Sequence, residues 1–252
     1  MSPKTAKQTK KKPSLEEIQL ENNAAKAAEV LYLREANEVV REQTEKRQGF
    51  SPRAVLDLLR SMLACLEEKD AYTHGHSLRV TEYVTALGFE LGFTEAQIEE
   101  LQVVAMLHDI GKVGIPDNIL LKPAPLSRAE FEIMKSHPVR SSRILEKANA
   151  PASLVSGVRS HHERIDGLGY PDGMKGEEIP LYARMVLIAD TFDAMTSTRP
   201  YRLSLDNETA FNELMKYSGT QFDLKLVGAF VRALKNPTIL SAVEKTLLRK
   251  IV

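Results

Sequence analysis

Apolar residues recur along this chain every three or four positions, the spacing of one helical face. Val55, Leu58, Leu59, Met62 and Leu66 set the pattern after the break "GFSP" at 49–52. Ser51 is placed there to cap a helix and Pro52 to open it. A second helix is predicted from Ser77 to Leu91, stopped by Gly92. Thr94 caps the next, with Gln97 three residues on in a capping-box arrangement. Ile98, Leu101, Val104 and Ala105 carry its apolar face into Leu107, His108 and Asp109, and Gly111 and Pro116 end it. Ser127 caps a helix to about Ser136, another covers roughly 138–147, and Ser153 caps one that reaches His161 and His162. A buried helix over 183–197 contains "MVLIAD", and two more are predicted near 207–217 and 223–234.

Strand signals are scarce. There is no Asn-Gly hairpin signal, and few β-branched runs alternate. The fold class is therefore all-α. Upstream, residues 14–48 form helix readily but carry only a weak apolar stripe, through Ile18, Val30, Leu31, Leu33, Val39 and Val40. A connector helix or short coiled coil suits them, and with it a homodimer. The chain divides into a Lys-rich tail with connector helix, 1–50, and one larger domain, 51–252.

The overall charge of zero conceals an asymmetry. Residues 1–13 hold five lysines and no acids, so the remainder has 29 basic and 34 acidic side chains. The tail reads as solvated, and no basic stripe in the body points to a nucleic-acid polymer. A single cysteine, Cys65, excludes a disulfide framework and fits a reducing compartment. No apolar run approaches the ~20 residues of a membrane span. A cytoplasmic protein is expected.

The chemistry lies in the histidines. The chain has six, and His108-Asp109 ends a strongly apolar helix while His161-His162 precedes the sharp loop "GLGYPDG". Asp190 sits inside "MVLIADTF", where an unpaired carboxylate would cost several kcal/mol. A cation is its natural partner. Imidazoles and carboxylates without thiolates favour iron, manganese or a similar ion over structural zinc. Other motifs fail. "HDIGKVG" lacks the glycine and Ser/Thr of a phosphate loop, and "HHERID" has Asp166 where a zinc-protease motif needs histidine. There is no Gly-x-Ser-x-Gly elbow.

Five stretches then occur in a telling order: "HSLRV" at 76, "LHDIGKVGIPDNILLKP" at 107, "HP" at 137, "HHERIDGLGYPDGMKGEEIPLYAR" at 161 and "IADTFDAMTSTRPYR" at 188. Together they resemble the HD-GYP family of cyclic di-GMP phosphodiesterases over about residues 54–232. The resemblance implies an HD-superfamily helical bundle that hydrolyses cyclic di-GMP to linear pGpG or GMP, with a metal-bridging hydroxide as nucleophile. It implies two divalent transition-metal ions. His76, His108, Asp109 and Asp190 would hold one, and His137, His161, His162 and a bridging Asp109 the other. Lys112 would face the substrate phosphate, Arg199 and Arg202 would grip it, and Tyr170 would lie at the substrate rim, where the loop also offers a surface to a signalling partner. Asp193, one turn beyond Asp190, would support a ligand, and His74 falls outside the pattern.

The departures are specific. Tyr72 stands where some members carry a metal-binding glutamate, so two ions are expected rather than three. Ala124 and Ser141 replace usual glycines and are expected to perturb a loop or a close helix contact. Leu224 replaces a proline. The same motifs also fit a receptor that binds a cyclic dinucleotide but barely cleaves it, or a phosphohydrolase of another nucleotide.

Overall fold

A computed structural model describes residues 75–198 and 203–248. The helices expected over 14–48 and 52–66, with His74, Tyr72, Cys65, Arg199 and Arg202, lie outside the described residues. The described part is helical, and its only β-pairing is an isolated bridge between Ser218 and Phe222. The helices are α1 His76–Glu90, α2 Glu95–Leu107, α3 Asp117–Leu120, α4 Arg128–Met134, α5 His137–Lys147, α6 Ala152–Arg159, α7 Leu181–Thr196, α8 Asn207–Lys216, α9 Leu224–Leu234 and α10 Pro237–Leu248. Short 3-10 turns occupy Ile110–Gly114 and Gly176–Glu178.

Local chemistry explains most boundaries. Thr94 and Ser127 each accept from the backbone N–H three residues on, and the Gln97 and Glu130 side chains return the bond. Gly92 leaves α1 with φ 72°, the left-handed conformation glycine adopts at no steric cost. Asp206 and Asp223 cap α8 and α9.

Three expectations need correction. Ser153 lies inside α6 rather than capping it, because Pro151, extended at φ −54° and ψ 143°, already sets the entry. The helix ends at Arg159, so His161 and His162 occupy the turn after it. The helix carrying Leu107 stops there, and Gly111 falls within the following 3-10 turn. In addition, α10 was not anticipated, although "NP" at 236–237 marks its start: the Asn236 side chain accepts from Thr238 N–H at 3.0 Å.

Helices α1, α2 and α7 supply the centre of the core. Val80, Val84 and Leu87, Leu101 and Val104, and Met185, Val186 and Ile188 are all buried there. Phe192 of α7 stacks on Phe211 of α8 with centroids 5.1 Å apart and meets Phe230 of α9 edge to face at 5.3 Å. An Arg184–Asp223 ion pair at 2.7 Å ties α7 to the start of α9. This packing brings helix ends together on one side, the start of α1, the end of α2, the start of α5 and the turn after α6, and the start of α1 faces the middle of α7. None of the described helices is long and apolar enough to cross a membrane.

Candidate metal centre

Three of the histidines are aimed by their own backbone. The Nδ1 atoms of His108, His137 and His161 lie 2.6, 2.8 and 2.7 Å from the carbonyls of Ala105, Met134 and Val158, each three residues back. A carbonyl only accepts, so each Nδ1 carries a proton and each ring turns its Nε2 inward. A histidine at or just beyond a helix end reaches such a carbonyl without leaving the chain's path. His76 opens α1 and takes a different acceptor: its Nδ1 donates to Asp193 Oδ2 at 2.7 Å.

The inward atoms converge. Donor atoms of Asp109, His137, His161 and His162 all lie within 4.8 Å of one another, as do those of His76, His108 and Asp109. Asp109 belongs to both groups. Asp190 falls outside them, with Oδ1 3.4 Å from His76 Nε2. Lys112 Nζ lies 2.5 Å from Asp109 Oδ2.

The arrangement fits a cation. His108 Nε2 and Asp109 Oδ1 are buried with no hydrogen-bond partner among the described residues. Buried polar atoms without partners are costly. His137 Nε2 and His161 Nε2, both turned inward, stand 3.3 Å apart. Positive charge between these atoms satisfies them all, and nitrogen and oxygen donors of this mix suit a divalent transition ion.

Burial, then the neighbouring imidazoles, holds His161 and His162 well below the ordinary histidine range, so both stay neutral. Burial alone would raise Asp109, but Lys112, His108 and His137 outweigh it and keep the carboxylate ionised. Burial also opposes a charge on His108, yet Asp109 carries it upward.

These directions fix an acid response for the metal-free protein. Unfolded histidine takes a proton near pH 6.5. Below that value the unfolded chain protonates His161 and His162 while the folded protein resists. Stability from these two is present above pH ~6.5 and falls as pH drops, by up to ~1.4 kcal/mol per pH unit for each proton. The raised His108 contributes fully below its unfolded pKa and so does not change in that window. The Tm of chelator-treated protein is expected to fall steadily from about pH 6.5 to 5; a flat or rising Tm there contradicts the assignment.

Behind the donors, two close approaches hold the frame. A Cβ on Gly111 would stand 2.1 Å from the His137 carbonyl oxygen, so the start of α5 lies directly on the 3-10 turn. Buried Ser141 joins them: its hydroxyl accepts from Gly111 N–H and donates to His108 C=O, both at 2.8 Å. The expectation that Ser141 perturbs this contact is reversed, because the hydroxyl bridges the two turns that carry His108 and His137. The other departure, Ala124, is exposed in the loop between α3 and α4.

The second approach shapes the loop after His162. A Cβ on Gly169 would meet Arg164 N at 2.4 Å and His162 O at 2.6 Å. Glu163, buried beside His162, accepts the N–H groups of Asp172, Gly173 and Met174 at 2.6, 3.1 and 3.1 Å. The folded-back loop stacks Tyr170 on His162, centroids 4.8 Å apart. Burial, then the charges of Asp109 and Asp190, raises the Tyr170 phenol, which stays protonated and able to donate. Glu163 escaped the sequence reading; its only signal is a carboxylate placed between two histidines and a glycine-rich loop.

With its fold and site in view, the chain can be placed among known proteins. The HD domain family matches residues 58–226, and the chain belongs to it. It is 44% identical over 193 residues to a cyclic di-GMP phosphodiesterase of Thermotoga maritima, covering 76% of this chain and 52% of that protein. It is 39% identical over 183 residues to a cyclic di-GMP phosphodiesterase of Pseudomonas aeruginosa, covering 72% and 43%. Among solved structures, a cyclic GMP-AMP-specific phosphodiesterase of Vibrio cholerae superposes with TM-score 0.57 at 23% identity, covering 74% of this chain and 50% of that one, a likeness of fold. The chain spans about half the length of these curated relatives.

Proposed function

We propose that this domain hydrolyses a phosphodiester bond of cyclic di-GMP, releasing linear pGpG and, after a second cut, GMP. The observation that carries the reading is the pair of donor groups sharing Asp109, each rich in inward-facing nitrogen. His76, His108 and Asp109, with Asp190 alongside, hold one divalent ion. His137, His161, His162 and Asp109 hold the second. Iron or manganese matches these donors best. When bound, two such ions supply Lewis acidity toward the phosphoryl oxygens and an activated water.

The chain's own residues do the rest. Asp109 stays ionised between the two positions. The Lys112 ammonium, set against it, answers negative charge gathering on the phosphoryl group. Tyr170 closes the rim over His162 and offers a phenolic proton. Arg199 and Arg202 grip phosphate in this reading. The wider reading is a cytoplasmic enzyme of residues 51–252, paired through its N-terminal helix and open to a signalling partner at the Tyr170 loop.

Mass spectrometry of products from iron- or manganese-loaded protein tests this. Wild type is expected to give pGpG, and Lys112→Met to lower turnover ~10²-fold with metal content kept. No product at any pH from about 6 to 9 sinks the reading. One observation favours a second substrate: Vibrio cholerae relatives at 34–36% identity are named 3'3'-cGAMP-specific phosphodiesterases. Competition between cyclic di-GMP and 3'3'-cGAMP separates the two.

A further inference from the structure

His76 stands apart from the other inward-facing histidines in how it is held. His108, His137 and His161 each give Nδ1–H to a neutral carbonyl three residues back, in the last turn of the helix they follow. His76 gives its proton to a carboxylate on another helix, Asp193 of α7. Asp193 is buried and is held in turn by Arg79, one turn along α1 from His76. Arg79 Nε donates to Asp193 Oδ1 at 2.5 Å and Nη2 to Oδ2 at 3.0 Å, the two-pronged geometry that only a guanidinium makes. The Ser197 hydroxyl adds a longer contact to Oδ1 at 3.3 Å. Asp190, one turn before Asp193, faces the opposite nitrogen of the same ring, 3.4 Å from Nε2. The His76 ring is therefore set between two carboxylates of one helix.

The two donor groups differ accordingly. His137, His161 and His162 belong to one group, and His76 only to the other. A carboxylate acceptor raises the basicity of a ligating imidazole and fixes its orientation more firmly than a carbonyl does. We infer that Arg79 and Asp193 act as a positioning pair that sets the affinity of the His76–His108–Asp109 position for its metal independently of the second position. This rests on the reading of the two groups as metal positions. Arg79 is the part that neither donor group shows: it holds the Asp193 carboxylate at a fixed angle and balances its charge, so that His76 meets one rigid acceptor.

The test is metal binding by the folded protein, read without turnover. Manganese titration against a fluorescent chelator, with elemental analysis of stoichiometry, gives two affinities in wild type. Asp193→Ala is expected to weaken one of them by ~10–100-fold and leave the other unchanged. Arg79→Ala is expected to weaken the same one by about tenfold, and Arg79→Lys by less, since lysine keeps the charge without the fork. The ring-nitrogen NMR signal of His76 should lose its strongly hydrogen-bonded Nδ1 proton in Asp193→Ala. Arg232→Ala serves as control, because Arg232 pairs with Glu90 at 2.8 Å at the far end of the same helix; it should move neither affinity. Equal weakening of both positions, or no change in either, overturns the proposal. Wild type that binds no manganese overturns the metal reading itself, a separate result that carries this pair down with it.

Discussion

With one ion at each donor group, as proposed, Asp109→Ala should strip both and lower the proposed phosphodiester hydrolysis by ~10³-fold or more, while the helices remain. The magnitude follows from the charge stabilisation that two ions give a phosphoryl group, several kcal/mol at ~1.4 kcal/mol per decade of rate. Asp109 is the only residue in both donor groups. Its oxygens lie 3.1 Å from His137 Nε2, 3.4 Å from His108 Nε2 and 3.9 Å from His76 Nε2. No neighbour can replace it, since Asp190 reaches only the His76 side. Losing it leaves the Lys112 ammonium beside imidazoles, and like charge then repels any arriving cation. Asp109→Asn separates charge from shape: it fills the same space but carries no negative charge. Elemental analysis is expected to show both variants depleted of metal, with helical circular dichroism retained. Metal content and turnover at the wild-type level in either variant would mean that Asp109 bridges nothing.

The helices were legible because their signals are local. Thr94 with Gln97 and Ser127 with Glu130 spell out capping boxes, and the structure places both helix starts there. The misses have local causes too. Ser153 looked like a cap, yet Pro151 two residues earlier already bends the chain into the helix. The pair at 161–162 looked like a helix end, yet the chain leaves α6 at Ser160 and a single turn then aims the rings.

The site was legible in a different sense. Its residue types and order imply a metal, and a carboxylate at Asp190 within an apolar run asks for a cation. What the sequence does not carry is how each ring is held. Three imidazoles use carbonyls three residues back, which no residue type encodes. The bridge through Ser141 spans 30 and 33 positions, and the contact between His76 and Asp193 spans 117. Such contacts come from packing α1 against α7 and α5 against the turn after α2. Side-chain identity gives no distance, so a serine in place of a glycine reads as a defect until its two partners are seen.

The loop that carries Tyr170 depends on a residue with no direct chemical part. Replacing Glu163 by Ala should loosen the whole stretch from Arg164 to Gly176. Glu163 is 1% exposed, and its carboxylate accepts three consecutive backbone N–H groups. A buried donor left unpaired costs ~1–3 kcal/mol, but Asp172 and Gly173 are exposed and Met174 half-buried, so water takes over part of the loss and the change is worth about 1–3 kcal/mol in all. For a domain of this size that lowers Tm by about 2–12 °C. Glu163→Gln discriminates the cause. Asp172 and Gly173 both donate to Oε1, so a glutamine oxygen can keep those two bonds. Its amide would then point an N–H at the Met174 N–H, turning the third bond into a repulsion. The Gln variant should therefore lie between wild type and Ala in Tm, with faster hydrogen exchange confined first to Met174. Because the loop sets Tyr170 on His162, turnover of the cyclic dinucleotide should fall through KM before metal content changes. A Tm within about 1 °C of wild type in Glu163→Ala, with amides 172–174 still protected, would show that the glycine-shaped backbone alone holds the loop.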